Sequence, residues 1–174
     1  LAVIHAAGLT YNTRSHFDAQ HFMEVGKAND ASLNTGWLGR HLATSTPARA
    51  DASLRGIGFS DGLVDTLKGA PRTLPIPDPA NYGLAGSTTT RDARTLWLEA
   101  EYNTNSAKPV KTAALDAVAT INLLRSLNIA GYQAANGAVC QNNSLGRGLR
   151  STAALIKADV GVEAIHLEIG GSSA

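Results

Sequence analysis

Leu1-Ala2-Val3-Ile4-His5-Ala6-Ala7-Gly8-Leu9-Thr10-Tyr11-Asn12-Thr13-Arg14-Ser15-His16-Phe17-Asp18-Ala19-Gln20 is the stretch on which the fold turns. The apolar run from Leu1 to Ala7, ended by Gly8, reads as a buried strand. Residues 10–14 supply hydroxyls, an amide and a guanidinium, which makes a polar turn. Ser15-His16-Phe17-Asp18 then has the form of a capping box, with Asp18 in the place of the usual Glu or Gln, so a helix opens at His16. Strand, turn and helix in that order predict an α/β unit, and ligands of such sheets gather beyond the carboxyl ends of the strands.

The same grammar recurs downstream. A helix is predicted over residues 16–25 with Gly26 as its stop, and a second over 36–43 with Trp37, Leu38 and Leu42 as its buried side. Residues 54–59 alternate in the strand period, and Ser60 caps a predicted short helix over 61–67. Three prolines at alternate positions (Pro75, Pro77, Pro79) confine residues 73–79 to a sheet edge or a surface crossing. Helices follow over 91–102, with Leu96, Trp97 and Leu98 in its middle, and from about Pro109 to Leu127, with Leu115, Val118, Ala119, Leu123 and Leu124 as its stripe. Residues 129–143 read as loop. A last helix over 144–159 carries Leu145, Leu149, Ala153 and Ile156 along one face, and Gly161 stops it. Residues 162–169 form the second strong strand, with Ile165, Leu167 and Ile169 alternating against His166. The expected class is therefore α/β, a mostly parallel sheet flanked by helices.

Composition narrows the function. The chain has 174 residues, 44% of them hydrophobic and 17% charged, which suits one domain with a true core. A net charge of +1 with both signs dispersed gives no footprint for nucleic acid, and no apolar run is long enough for a membrane span. Cys140 is the single cysteine, so neither an internal disulfide nor a thiolate metal cage can form within the chain. The chain starts within an expected core strand and stops just after another, so residues 1–174 are expected to be either a single α/β domain or a fragment of a larger one.

The candidate chemistry is concentrated at the first helix. Thr13, Arg14, Ser15 and His16 crowd its N-terminus, where free N–H groups and the helix dipole favour an anion and Arg14 adds a fork of donors. A hydroxyl there becomes a nucleophile if a metal or base activates it. The simpler account is a capped helix with Arg14 solvated, and spacing alone favours it. His5 and His166 lie on the predicted strands, where a lone histidine is more often a hydrogen-bonded packing residue. Ser144-Leu145-Gly146-Arg147-Gly148-Leu149-Arg150 lacks both GxGxxG and the P-loop lysine, so no nucleotide cofactor is expected.

Residues 1–6 with Thr13-Arg14-Ser15-His16-Phe17-Asp18-Ala19-Gln20, then Thr35-Gly36-Trp37-Leu38-Gly39-Arg40, then Gly146-Arg147-Gly148-Leu149 through Ala154-Leu155-Ile156-Lys157-Ala158-Asp159 to Gly170-Gly171, resemble the bacterial secreted proteins of domain of unknown function 1501. Those proteins look like relatives of the sulfatase and alkaline phosphatase superfamily. The resemblance implies an alkaline-phosphatase-like sheet, of which this chain would hold an incomplete part. It also implies a nucleophile at a helix N-terminus beside a divalent metal ion, acting on a small anionic phosphate or sulfate ester. Ser15 or Thr13 would be the catalytic hydroxyl, with Arg14 and His16 holding the anion. Ser15 is the better cap and Thr13 the freer to react. The implied setting is periplasmic or secreted. Family members usually carry an earlier strand with Asp and Asn, and continue Trp-Asp-Thr-His after the double glycine. Here Gly170-Gly171 is followed by Ser172-Ser173-Ala174. The metal ligands are therefore expected outside this chain, which alone would be inactive. The alternative is a non-catalytic extracytoplasmic binding or scaffold domain of the same fold.

Overall fold

Glycines decide how the sheet is covered. In this computed structural model, which describes residues 8–105 and 107–168, strand β1 (Gly56–Gly58) is fully buried and has a side chain only at Ile57. Ile57 points into a core formed with Leu54, Ile76, Leu124, Ile129, Ala154 and Leu155. The opposite face of β1 is bare backbone. A Cβ at Gly58 would stand 3.3 Å from Val64, and one at Gly56 would stand 3.3 Å from Leu42. That face packs on a second, smaller core of Leu42, Val64, Leu67 and Ala164. Two apolar layers thus sandwich a sheet whose central strand is covered on both sides, as parallel sheets require.

Among the described residues the sheet has three strands in the order β2-β1-β3. Strand β2 (Thr73–Pro75) and strand β3 (Ala164–His166) both run parallel to β1. Ile57 pairs with Leu74 on one side and Ile165 on the other. The proline-rich segment is an edge strand as expected, because Pro75 has no N–H to offer an outer neighbour. Beyond the ladder, the Ile76 N–H donates to Gly58 O at 2.8 Å. The α/β class and the parallel sheet expected from the sequence are present. The expected strand over residues 1–7, with His5, and the Gly170-Gly171 terminus lie outside the described residues.

Among the described residues, five α-helices accompany this sheet. Helix α1 (His16–Val25) has the predicted bounds and ends on Gly26, whose φ of 66° is the left-handed C-cap conformation. Helix α2 (Trp37–Thr44) lies on the smaller core, with Leu42 buried but Trp37 49% exposed. A Cβ at Gly36 would fall 2.0 Å from Thr66 O, and one at Gly39 2.0 Å from Lys68 O, so both glycines let α2 approach the 3-10 turn Asp65–Leu67. Arg40 reaches back from α2, its Nη2 donating to Val25 O at 2.7 Å and so capping α1. The Thr35-Gly36-Trp37-Leu38-Gly39-Arg40 string is thereby the clamp between the first two helices.

Helices α3 (Arg91–Asn105), α4 (Lys108–Ser126) and α5 (Ser144–Lys157) follow in the chain. Helices α3 and α4 pack against each other. Leu124 of α4 joins Ala154 and Leu155 of α5 under Ile57.

Several local expectations fail, most clearly where small residues take the interior. In α5 the buried positions are Gly146, Gly148, Ser151, Ala154 and Leu155, while Leu149 and Ile156 are 49% and 64% exposed. The predicted apolar face is turned away, because a Cβ at Gly148 would stand 2.6 Å from Leu167 and only the glycine face fits so close to the sheet. In α3, Leu96 and Trp97 are exposed and Thr95 is buried. In α4, Thr120 and Ile121 are buried with Val118 and Leu124, and Ala119 is exposed. The helix predicted over 61–67 contracts to Asp65–Leu67, since Ser60 Oγ donates to Gly62 O in a tight turn and Val64 is extended.

Candidate functional site

The N-terminus of α1 is built from two hydroxyls in series. The Asp18 N–H donates to Ser15 Oγ at 3.2 Å, and the Ser15 N–H donates to Thr13 Oγ1 at 3.1 Å. Thr13 thus takes the N–H that a reciprocal capping box would give to the Asp18 carboxylate. Both candidate hydroxyls accept backbone hydrogen bonds, and each keeps its own O–H to donate. The N–H groups of His16 and Phe17 have no acceptor among the described residues, so the helix end is open to an anion. Arg14 is exposed, with no ion pair among the described residues. His16 is exposed and meets Phe17 edge-on, ring centroids 5.6 Å apart.

Helix α1 lies across the smaller core's side of the sheet, beside the carboxyl end of β3. A cavity of about 550 Å³ opens between them, and His16 from α1 and His166 from β3 both line it. Its other walls include Met23, Trp37 and Leu38, which makes it largely apolar. His166 Nε2 is 3.6 Å from Glu168 Oε1. The structure therefore gathers His16 and His166 at one cavity and ties Thr13 to Ser15. Arg14 is joined to none of them.

A second cavity, of about 270 Å³, lies on the next face of α1. Here His21 Nδ1 faces Asp65 Oδ2 at 3.5 Å, and Lys68 Nζ lies 2.5 Å from Asp65 Oδ1. The Lys68 hydrogen bond, with His21 adding to it, holds the Asp65 carboxyl below the ordinary aspartate range, against the opposing effect of burial. His21 Nε2 is buried and has no partner among the described residues. The carboxylate at Nδ1 fixes the orientation of the ring, with Nε2 turned away from the cavity. Glu24 and Glu168 also face this space. Sequence reasoning missed the His21–Asp65 pair, because the partners are 44 residues apart and no local motif joins them.

The implied divalent metal can be tested against these side chains. No three His, Cys, Asp or Glu side chains converge closely enough to hold an ion among the described residues. The described residues therefore do not supply a ligand set. No helix among the described residues is long and apolar enough to cross a membrane. Compared with known proteins, the chain matches no family model, no curated protein and no solved structure.

Proposed function

We propose that this chain is part of a hydrolase of phosphate or sulfate esters, with an alkaline-phosphatase-like arrangement. The observation that carries the reading is the open N-terminus of α1 at the carboxyl side of a parallel sheet, with Thr13, Arg14, Ser15 and His16 around it. The N–H groups of His16 and Phe17 receive the ester's anionic oxygens, and Arg14 swings in from solvent to neutralise them. Thr13 or Ser15 presents a hydroxyl to the ester centre while its lone pairs are fixed by a backbone N–H. A divalent metal ion belongs to this reading as the activating group, with its ligands outside the described residues. The cavity shared by His16 and His166 takes the group esterified to the anion. An extracytoplasmic setting accompanies this reading.

Thr13→Ala and Ser15→Ala, placed in the full-length protein and assayed with divalent metals against phosphate and sulfate esters, test the proposal. Loss of turnover in one variant supports it and names the nucleophile. Equal turnover in both removes it. A second reading, a non-catalytic domain of the same fold, draws on one specific observation: both hydroxyls already serve as backbone acceptors in the helix cap.

A further inference from the structure

A third cavity lies on the opposite side of the sheet from α2, at the carboxyl ends of all three strands. Its volume is about 180 Å³, less than the roughly 300–1,000 Å³ of drug-sized pockets. Phe59 enters it one residue past β1, Asp78 three residues past β2, and Leu167 and Glu168 directly past β3. The fourth wall is the first two turns of α5, where Ser144, Arg147, Gly148 and Ser151 share one face at i, i+3, i+4 and i+7.

Ser151 is the telling side chain. It is 5% exposed, it lines the cavity, and its hydroxyl has no hydrogen-bond partner among the described residues. Hydroxyls inside helices usually bond the carbonyl four residues back. Thr95, Thr112 and Thr120 do so here, at 3.0, 3.1 and 2.8 Å. Ser151 does not, and its hydroxyl is left facing the cavity, free to bond whatever enters it.

The α5 N-terminus adds donors. Asn143 caps the Gly146 N–H at 2.8 Å and its carbonyl takes the Arg147 N–H, so the Ser144 and Leu145 N–H groups have no acceptor among the described residues. Arg147 is exposed and unpaired among the described residues. Facing this donor end are two carboxylates. Asp78 is held in place by the Ala80 N–H and by Asn81 Nδ2, at 3.0 and 2.8 Å, and Glu168 stands at the end of β3.

The charge pattern selects the ligand. Asp78 and Glu168 repel a bare anion, and Arg147 with the helix dipole repels a bare cation. A small molecule with both signs a few atoms apart satisfies both walls. We propose that this cavity binds a free α-amino acid, with its carboxylate at Ser144, Arg147 and Ser151, its ammonium at Asp78 and Glu168, and a small side chain against Phe59 and Leu167. The site is separate from the hydroxyl pair of α1, and its occupancy does not depend on ester hydrolysis.

The test is a titration of the isotope-labelled chain with L-alanine, then with pools of the common L-amino acids, followed by the amide resonances of Ser144, Gly148 and Ser151. N-acetyl-L-alanine removes the cation, L-alaninamide removes the anion, and inorganic phosphate probes anion binding alone. The expected result is a saturable shift with at least one amino acid, weakened about tenfold in each blocked analogue, the size of one lost charge-assisted contact. Arg147→Gln and Ser151→Ala, both with native spectra elsewhere, weaken it to a similar degree, and Arg14→Gln leaves it unchanged. No saturable shift with any amino acid overturns the proposal. So does N-acetyl-L-alanine or phosphate binding as well as the amino acid, and so does undiminished binding in Arg147→Gln. Thr13→Ala and Ser15→Ala, which decide the hydrolase reading, leave this titration unaltered.

Discussion

Arg55 Nε donates to Glu163 Oε1 at 2.6 Å while its Nη2 reaches Oε2 at 3.1 Å, a two-point pairing across the β1–β3 edge. Arg55 is 2% exposed, and its remaining donors end on the Leu42 carbonyl at 2.6 Å and Ser45 Oγ at 3.1 Å. One guanidinium thus joins the entrance to β1, the entrance to β3 and the end of α2. Removing it leaves a partly solvated carboxylate and an unsatisfied helix-end carbonyl. Arg55→Ala is expected to cost about 1.5–3 kcal/mol, the worth of hydrogen bonds to a charged group, read as a lower midpoint in urea unfolding with an unchanged slope. A change under about 1 kcal/mol, the usual worth of an exposed ion pair, would show that the pair is solvated.

The same pair sets a pH dependence. The Arg55 hydrogen bond holds the Glu163 carboxyl below the ordinary glutamate range, with smaller help from the Ala48 N–H and the Arg55 and His41 charges; burial alone would raise it. The folded chain therefore binds this proton less readily than the unfolded one. The stabilisation is complete above the unfolded glutamate's pKa and is lost as the pH falls through the folded value. Glu163→Gln is expected to lower stability at neutral pH and to flatten its decline towards acid. Unfolding free energies measured at neutral and acid pH check this, and parallel curves for the two proteins would assign the acid response elsewhere.

Local signals near backbone turns were legible, and burial set by distant partners was not. Ser15 before an apolar-periodic run and Gly26 after it fix α1 to the residue, because capping is decided within a few positions. The prolines likewise mark β2 as an edge. The buried face of α5 was hidden, since the sheet accepts Gly146 and Gly148 there and excludes the larger Leu149. Periodicity counts apolar residues and is blind to a close approach that only glycine permits. Arg55 reads as a charged position within a strand pattern, and nothing near it in sequence reveals Glu163, 108 residues away. The candidate site divides in the same way. The hydroxyls of the α1 cap could be seen locally, whereas the meeting of His16 with His166, and of His21 with Asp65, is a product of the fold.

Gly39 tests the close-approach argument. A Cβ there would lie 2.0 Å from Lys68 O and 2.8 Å from its carbonyl carbon, against backbone that cannot rotate away. In an isolated helix Gly→Ala would stabilise by up to about 1 kcal/mol. Here Gly39→Ala is expected to destabilise by about 1–3 kcal/mol, the usual cost of overpacking, and to loosen α2 from the Asp65–Leu67 turn. Thermal unfolding together with hydrogen exchange at Leu67 and Lys68 reads both effects. A more stable variant would mean that α2 stands further from the turn.

Ser15 carries two roles that one substitution can separate. As N-cap it accepts the Asp18 N–H, and Ser15→Ala is expected to cost about 1 kcal/mol. Aspartate is an equally good N-cap, and its charge also suits the positive end of the helix dipole. Ser15→Asp should therefore fold with near-native stability. It has no hydroxyl, however, and its carboxylate occupies the position where an anionic ester would sit. If Ser15 is the nucleophile, Ser15→Asp in the full-length protein keeps the melting temperature and loses ester turnover. If Ser15 only caps the helix and Thr13 reacts, Ser15→Asp still weakens ester binding by charge repulsion, so KM rises while Ser15→Ala retains kcat. Full activity and native affinity in Ser15→Asp would leave the α1 N-terminus with a purely structural role.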